Sequence, residues 1–378
     1  MTKYDLIGRI ADLPLRHATI TQSAAAVPCN GPAPTVSIVV PCYNYGHFLS
    51  DCVESLLDQD GVEVDVLIID DTSTDDSGDV ADALAARWER VTSLRHRQNR
   101  GHIATYNEGL DLAEGDYVVL LDADDVIAPG ALSRATRLME AHPSVGLVYG
   151  HPVNFYGEIP QKQDVAERSW SIWPGQEWIR AQCKRGQSLI YSPEVVMRAS
   201  TRRTIGGFRP ELPHAGDIEM WLRFAAVSDI GRVNGPDQAY RRMHAQSMVH
   251  TQYATVMADL EQRLAAYESF FTNDESNITA TSELLLLARK AAAAELLDWV
   301  CTEAARDEPD ESTIEQCVEY ARHVYPDAPL LRQWREYQAR LREQRTSGRA
   351  IRIALRSYAA RRSFDRRLTW HRWHWLGV

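Results

Sequence analysis

Three short apolar runs decide what this chain can fold into. Val36-Ser37-Ile38-Val39-Val40, Val64 to Ile69 and Tyr117 to Leu121 are rich in β-branched residues, and stretches with helical spacing separate them. Two of the runs end in acid: Ile68-Ile69 leads into Asp70-Asp71-Thr72-Ser73, and Leu120-Leu121 into Asp122-Ala123-Asp124-Asp125. A carboxylate cluster just past a buried strand lies at the mouth of an open α/β sheet, where such sheets bind ligands. Three Asp within four residues repel one another unless a cation sits among them. A divalent cation holding a phosphate answers that repulsion, so the pair of clusters points to an enzyme that holds a metal-bound nucleotide.

The intervening segments read as helices. Phe48 to Leu57, Ser77 to Trp88, Ala104 to Ala113 and Ala131 to His142 carry apolar residues at helical intervals, and Val91 to His96 and Val145 to Tyr149 read as further strands. Strand and helix alternate, which predicts a mostly parallel sheet covered on both faces. Residues 151–190 lose this rhythm and hold Trp170, Trp173 and Trp178 among polar, Pro and Gly positions. They read as a functional loop whose aromatic faces help choose a ligand, since such faces stack on sugar rings. Beyond Val249, four helices are expected at Tyr253–Phe271, Ser282–Ala304, Ser312–Val324 and Leu330–Arg345. The expected organisation is an extension and linker over 1–34, with a short helix at Leu6 to Leu13, a main domain over 35–250, a helical region over 251–345 and a basic tail over 346–378.

Charge and cysteine usage narrow the setting. The net charge is −11, yet Leu331 to Val378 holds 13 Arg, no Lys and three acids, a local +10 that leaves −21 on the other 330 residues. Cys29, Cys42, Cys52, Cys183, Cys301 and Cys317 form no C-x-x-C pair, so a zinc or thioredoxin-type site is not expected and the thiols read as reduced and mostly buried. No run of about 18 apolar residues is present, and the N-terminus lacks the apolar stretch of a secretory signal. A cytoplasmic location is therefore expected.

Several motifs carry chemistry. Pro41-Cys42-Tyr43-Asn44 leaves the first strand with an aromatic ring able to lie against a base, although a capped turn explains it as well. In Asp70 to Ser77 the later residues make a good helix start, with Asp76 or Ser77 as N-cap, but Asp71 precedes that cap. Asp122 to Asp125 offers the oxygen ligands that Mg²⁺ or Mn²⁺ prefers, against the simpler reading of an acidic cap before Pro129-Gly130. Farther on, Gly206-Gly207-Phe208-Arg209 precedes Gly216-Asp217-Ile218-Glu219-Met220-Trp221, a helix with acids in its first turn, where the macrodipole favours them.

Taken in order, these elements, with Asn99-Arg100-Gly101, Asn107-Glu108-Gly109, Ala113-Glu114-Gly115-Asp116-Tyr117 and Tyr240-Arg241-Arg242-Met243-His244, make residues 35–250 resemble the family 2 glycosyltransferases of the GT-A fold. The resemblance implies an α/β nucleotide-sugar-binding fold, a mostly parallel mixed sheet between helices, followed by an α-helical C-terminal region. It implies that Pro41, Tyr43, Asn44, Asn99 and Gly101 meet the nucleotide sugar and that Asp71 contacts the donor's base. Asp122 and Asp124 fall in the family's D-x-D region. Asp124, Asp125 and His244 are the implied ligands of a divalent metal, Mn²⁺ or Mg²⁺, with a structural histidine as the alternative at His244. Asp217 falls where the family carries its catalytic base, which deprotonates an acceptor hydroxyl so that the sugar transfers with inversion. Glu219, Trp221 and Arg242 are expected to help position donor or acceptor.

Two departures are specific to this chain. Where the family often has Glu-Asp, it has Gly216-Asp217, so Glu219 is the candidate for the missing supporting carboxylate. Where the family often places Arg before the Asn of its mid-domain helix, it has Tyr106. In the tail, Arg361-Arg362, Arg366-Arg367 and Arg372 interleave with Trp370, Trp373 and Trp375, a pattern suited to anionic head groups at a membrane interface, or to a helix packed on the acidic domain. The expected partners are a nucleotide-sugar donor, UDP- or dTDP-linked by this resemblance, and a saccharide or lipid-linked acceptor met peripherally at a membrane's inner face; no nucleic acid is expected. The role implied is polysaccharide or glycoconjugate biosynthesis. The rivals are a nucleotidyltransferase, which would want a Gly-rich phosphate loop with Arg and Lys near the first strand, and a non-catalytic nucleotide-sugar-binding scaffold.

Overall fold

The computed structural model describes residues 19–22, 32–161, 166–188, 190–244, 255–273, 278–279, 281–306 and 308–344. The expected helix at Leu6 to Leu13 and the tail from Arg349 lie outside them. The chain divides into two compact units, one built on residues up to Ile179 together with 190–244, the other on Arg180–Ser188 together with the helices after 255.

The first unit is a mixed sheet between helices. β2 (Thr35–Cys42), β3 (Glu63–Asp70), β4 (Val91–Arg95) and β5 (Tyr117–Leu120) form its parallel half, in the spatial order β5-β2-β3-β4. Val36, Ile38, Val39 and Val40 are all at most 1% exposed, as a strand buried on both faces requires. The crossovers are α1 (Gly46–Leu57), α2 (Ser77–Arg87) and α3 (His102–Leu112), and α1 turns Leu49, Cys52, Val53 and Leu56 into the core. α4 (Ala131–Ala141) then leads to β7 (Val145–Phe155).

The other half is largely antiparallel. β1 (Thr19–Gln22) pairs with β8 (Ser169–Trp173), β8 with β10 (Asp229–Arg242), and β9 (Val196–Arg198) with both β5 and β7; only β7 and β10 run parallel. β6 (Val126–Ile127) lies against β10 at Ala239 and Tyr240, and the short helix α6 (Ala199–Ile205) follows β9. The alternation of strand and helix thus predicted the parallel half well, and the sheet as a whole is mixed.

One expectation is corrected here. Residues 151–190 are not a long irregular loop: they contain the end of β7, all of β8 and α5 (Gly175–Arg185). Trp170, Trp173 and Trp178 are 1%, 2% and 3% exposed, and Trp173 stacks on Tyr149, so these rings are core and present no face to a sugar. Alternation across a strand buried on both sides leaves no periodic signature, which is why the segment read as irregular.

The second unit contains α8 (Val256–Asn273), α9 (Thr281–Glu303), α10 (Glu311–Val324) and α11 (Arg332–Gln344), each within a few residues of its expected span. Leu296, Leu297, Val300, Cys301, Cys317 and Ala321 form its core at 0% exposure. The five described cysteines are free and buried, as expected.

Candidate functional site

Because β5, β2 and β3 are adjacent and parallel, their carboxyl ends open onto one edge of the sheet. Asp122 to Asp125, Pro41 to Asn44 and Asp70 to Ser73 emerge there side by side. The Pro41–Asn44 and Asp70–Ser73 loops are laced together. Asn44, at φ +61°, donates its N–H to Ser73 Oγ (2.9 Å) and accepts the Thr74 N–H at its Oδ1 (2.8 Å). Tyr43, beside it, is 48% exposed and free to meet a planar ligand.

Asp71 is buried and heavily used. Its Oδ1 takes the Arg100 N–H (2.8 Å) and faces His96 Nδ1 (2.7 Å), and its Oδ2 takes the Gly101 N–H (2.8 Å). Burial pushes this carboxyl up, but the His96 contact and the two backbone donors outweigh it and hold it below the usual carboxylate range. Asn99 donates to the Asp71 carbonyl at 3.0 Å. The sequence-expected trio Asp71, Asn99 and Gly101 therefore comes together, with Asp71 organising the 99–101 loop. His96, which reaches Glu108 Oε2 with its other ring nitrogen (3.0 Å), is a member of the group that motif reading passed over.

Asp122, Asp124 and Asp125 bring one carboxylate oxygen each within 4.8 Å of one another. Burial, then the Asp124 charge, raises Asp122 to about 6; burial, then Asp124 and Asp122, drives Asp125 well above its ordinary value. His244 Nε2 lies 2.9 Å from Asp124 Oδ2, and its ring packs edge-on to Tyr45 at 5.4 Å. The buried Nδ1 of His244 has no hydrogen-bond partner among the described residues. Three crowded carboxylates with an imidazole at one of them are a donor set for a hard divalent cation, and the upward push on two of the carboxyls is what such a cation would relieve.

Arg242 does not neutralise this cluster with its guanidinium. Nε donates to the Asp124 carbonyl (2.9 Å), one terminal nitrogen to the Gly157 carbonyl (2.8 Å) and the other to Asp51 Oδ2 (3.1 Å), with the Phe48 ring below at 4.5 Å. Its backbone N–H binds Asp125 Oδ1 (2.8 Å). It fastens the acidic turn to β10. Its neighbour Arg241 lies over the Tyr191 ring at 4.4 Å, and its charge acts downward on Asp122, Asp125 and Asp217. Arg241 was visible only as part of the Tyr240–His244 stretch, with no signal separating it from Arg242.

Asp217 opens the first turn of α7 (Gly216–Val227) and accepts the Ile218 N–H at Oδ1 (2.7 Å). Burial raises it to about 6 against that bond, His214 and Arg241. Its charge adds to the upward push on Asp122 and on Tyr106, so it faces the same space as the acidic turn. Tyr106 occupies that space, its hydroxyl donating to Asp122 Oδ1 at 3.2 Å.

Two expected positioning residues take other roles. Glu219 is 0% exposed and bound by Arg209 Nε (2.6 Å) and by Arg223 Nε (2.9 Å). Two residues along a helix is a turn of about 200°, so it points away from Asp217 and does not stand in for the missing supporting carboxylate. Trp221 is 1% exposed, packed on Phe208 and Phe224 in the core.

Comparison with known proteins agrees with this layout. A family profile described as Glycosyl transferase family 2 matches residues 37–198. The chain is 28% identical over 254 residues to the uncharacterized protein MT1568 of Mycobacterium tuberculosis, covering 62% of this chain and 74% of that one. It is 40% identical over 128 residues to the glycosyltransferase GlyG of Streptococcus pneumoniae, covering 32% of this chain but only 42% of GlyG. Among solved structures, the S. aureus TarS 1–349 complex with UDP-GlcNAc superposes with a TM-score of 0.53 at 17% identity, covering 85% of this chain and 92% of that one, a likeness of fold.

Proposed function

The chain belongs to the family 2 glycosyltransferases, and from that premise we propose that it transfers a sugar from a nucleotide-sugar donor to an acceptor hydroxyl by single displacement with inversion. The observation that carries this reading is Asp217, a partly buried carboxyl raised to about 6, facing the Asp122–Asp125 turn across Tyr106. A base poised near the working pH, opposite a phosphate-and-metal turn, is the arrangement such a displacement needs.

The nucleotide lies along the strand ends, its base against Tyr43 and the Asp71 loop, its ribose toward Asp122 and its diphosphate toward Asp124 and Asp125. UDP or dTDP is the proposed carrier. Asp124, Asp125 and His244 would hold a divalent cation, Mn²⁺ or Mg²⁺, which would supply positive charge for the departing diphosphate. Arg241 adds a fixed positive charge beside the same carboxylates. Asp217 takes the proton from the acceptor hydroxyl as its oxygen attacks the anomeric carbon from the face opposite the nucleotide. The acceptor is a saccharide or lipid-linked saccharide, met at a membrane surface through the Arg- and Trp-rich tail. No helix among the described residues is long and apolar enough to cross a membrane.

A panel of UDP-, dTDP- and GDP-sugars, each with and without Mn²⁺, tests the donor assignment by thermal shift, since a ligand bound only by the native state raises its stability. The donor that shifts the melting point should also be turned over by the wild type and not by Asp217→Asn. Turnover by that variant would remove Asp217 as base. Equal binding of a 349–378 deletion and the full chain to anionic liposomes would remove the membrane contact.

A further inference from the structure

The segment Gly206–Ala215, which delivers Asp217 to the site, is held by Arg223 and Glu219 of α7 and, across the site, by α3. Asn107 of α3 makes a paired contact with a single residue of it: Oδ1 accepts the Phe208 N–H at 2.7 Å and Nδ2 donates to the Phe208 carbonyl at 2.8 Å. The fit is close, because a Cβ on Gly207 would lie 2.2 Å from Asn107 Oδ1. At the other end of the segment, His102 Nε2 lies 2.8 Å from the Pro213 carbonyl; that oxygen can only accept, so Nε2 carries the proton. His102 and Tyr106 share a face of α3, four residues apart with rings 5.5 Å apart, and Tyr106 holds Asp122. The start of α3 is fixed in turn by Asp71 through the Arg100 and Gly101 N–H groups.

One rigid helix therefore touches all three parts of the site. Its N-terminus is bonded to Asp71, its middle to Asp122, and two of its side chains to the segment that ends four residues or fewer before Asp217. We propose that Asn107 and His102 are positioning residues for the base: α3 is the ruler that sets the distance from the donor-side carboxylates to Asp217. This rests on the reading of Asp217 as base. The stake is geometric, since a misplacement of about 1 Å at a reacting group can cost on the order of 10²-fold in rate. Neither side chain needs to touch a substrate to have that effect.

The test separates the clamp from the chemistry. Amide hydrogen exchange is measured on Asn107→Ala, His102→Ala and His102→Gln, with binding of UDP in the presence of Mn²⁺ by calorimetry and turnover with the donor found by the panel. Exchange should quicken at least tenfold over 206–217 in both Ala variants while the β5 amides stay protected. UDP binding should stay within twofold. Turnover should fall by about 10- to 100-fold for Asn107→Ala and less for His102→Ala, through kcat rather than the donor KM, and His102→Gln, which keeps an N–H donor, should recover most of its loss. Unchanged exchange over 206–217 in both Ala variants overturns the proposal. So does quickened exchange with full turnover, provided Asp217→Asn is inactive. If Asp217→Asn is itself active, the assignment of the base fails instead, and the exchange data still decide whether α3 holds the segment.

Discussion

The Tyr106 hydroxyl donates to Asp122 Oδ1 at 3.2 Å, and it does so from the α3 position just before Asn107. A neutral donor steadies the carboxylate without cancelling its charge. Tyr106→Phe should therefore raise the donor KM by about three- to tenfold, the loss of one charge-assisted hydrogen bond, with little change in melting temperature. Steady-state kinetics against the donor checks it, and an unchanged KM would leave Tyr106 as packing alone.

Asp217 makes activity and stability pull in opposite directions. Asp217, raised to about 6, is protonated below that value, so with Asp217 as the proposed base kcat/KM should fall as the pH drops through about 6. For stability the sign is reversed. The folded state holds the proton more tightly than the unfolded chain does, so stability is lost as the pH rises from about 4 to beyond 6, at most about 3 kcal/mol. Asp217→Asn should be inactive, more stable than wild type at pH 8 and no more stable at pH 4. Melting curves at the two pH values decide it.

The acidic turn should respond to a cation before any donor is added. Mn²⁺ should raise the melting temperature of the wild type, EDTA should reverse the rise, and Asp124→Ala should abolish it. Calorimetric titration of Mn²⁺ into both proteins is the direct check. An Asp124→Ala titration identical to the wild type would move the ion elsewhere.

Glu219 is bound by Arg209 and Arg223, and Arg223 also holds the Ile205 and Gly207 carbonyls at 2.5 and 2.7 Å. Removing a buried carboxylate leaves its partners uncompensated. Glu219→Ala should cost about 3–5 kcal/mol, read by urea denaturation. A loss of activity with full stability would instead assign Glu219 to substrate handling.

Much of this site was legible because the informative residues are local. Apolar β-branched runs mark strands, and the residues directly after them fall at the carboxyl edge whatever the rest of the chain does, so Asp71 and Asp122 to Asp125 could be placed by adjacency in sequence. The four late helices were equally plain, since helical periodicity survives without knowledge of a partner. Ser169–Trp173 was not, because a strand buried on both faces has no alternation to read.

What the sequence by itself determined is the parallel half of the sheet, the two acidic turns at its edge and, through motif order, the family. Only the tertiary structure decided which side chains are spent on the protein itself. Arg242 and Glu219 were candidates on charge and position, yet Arg242 is consumed by two carbonyls and Asp51 and Glu219 by two arginines. Arg241, Tyr106 and Asn107, which drew no role from their spacing, are set around the acidic turn and the approach to Asp217. The reason is physical. A hydrogen bond or ion pair between residues 100 or more apart in the chain depends on a few ångströms of packing, and no local pattern encodes that distance.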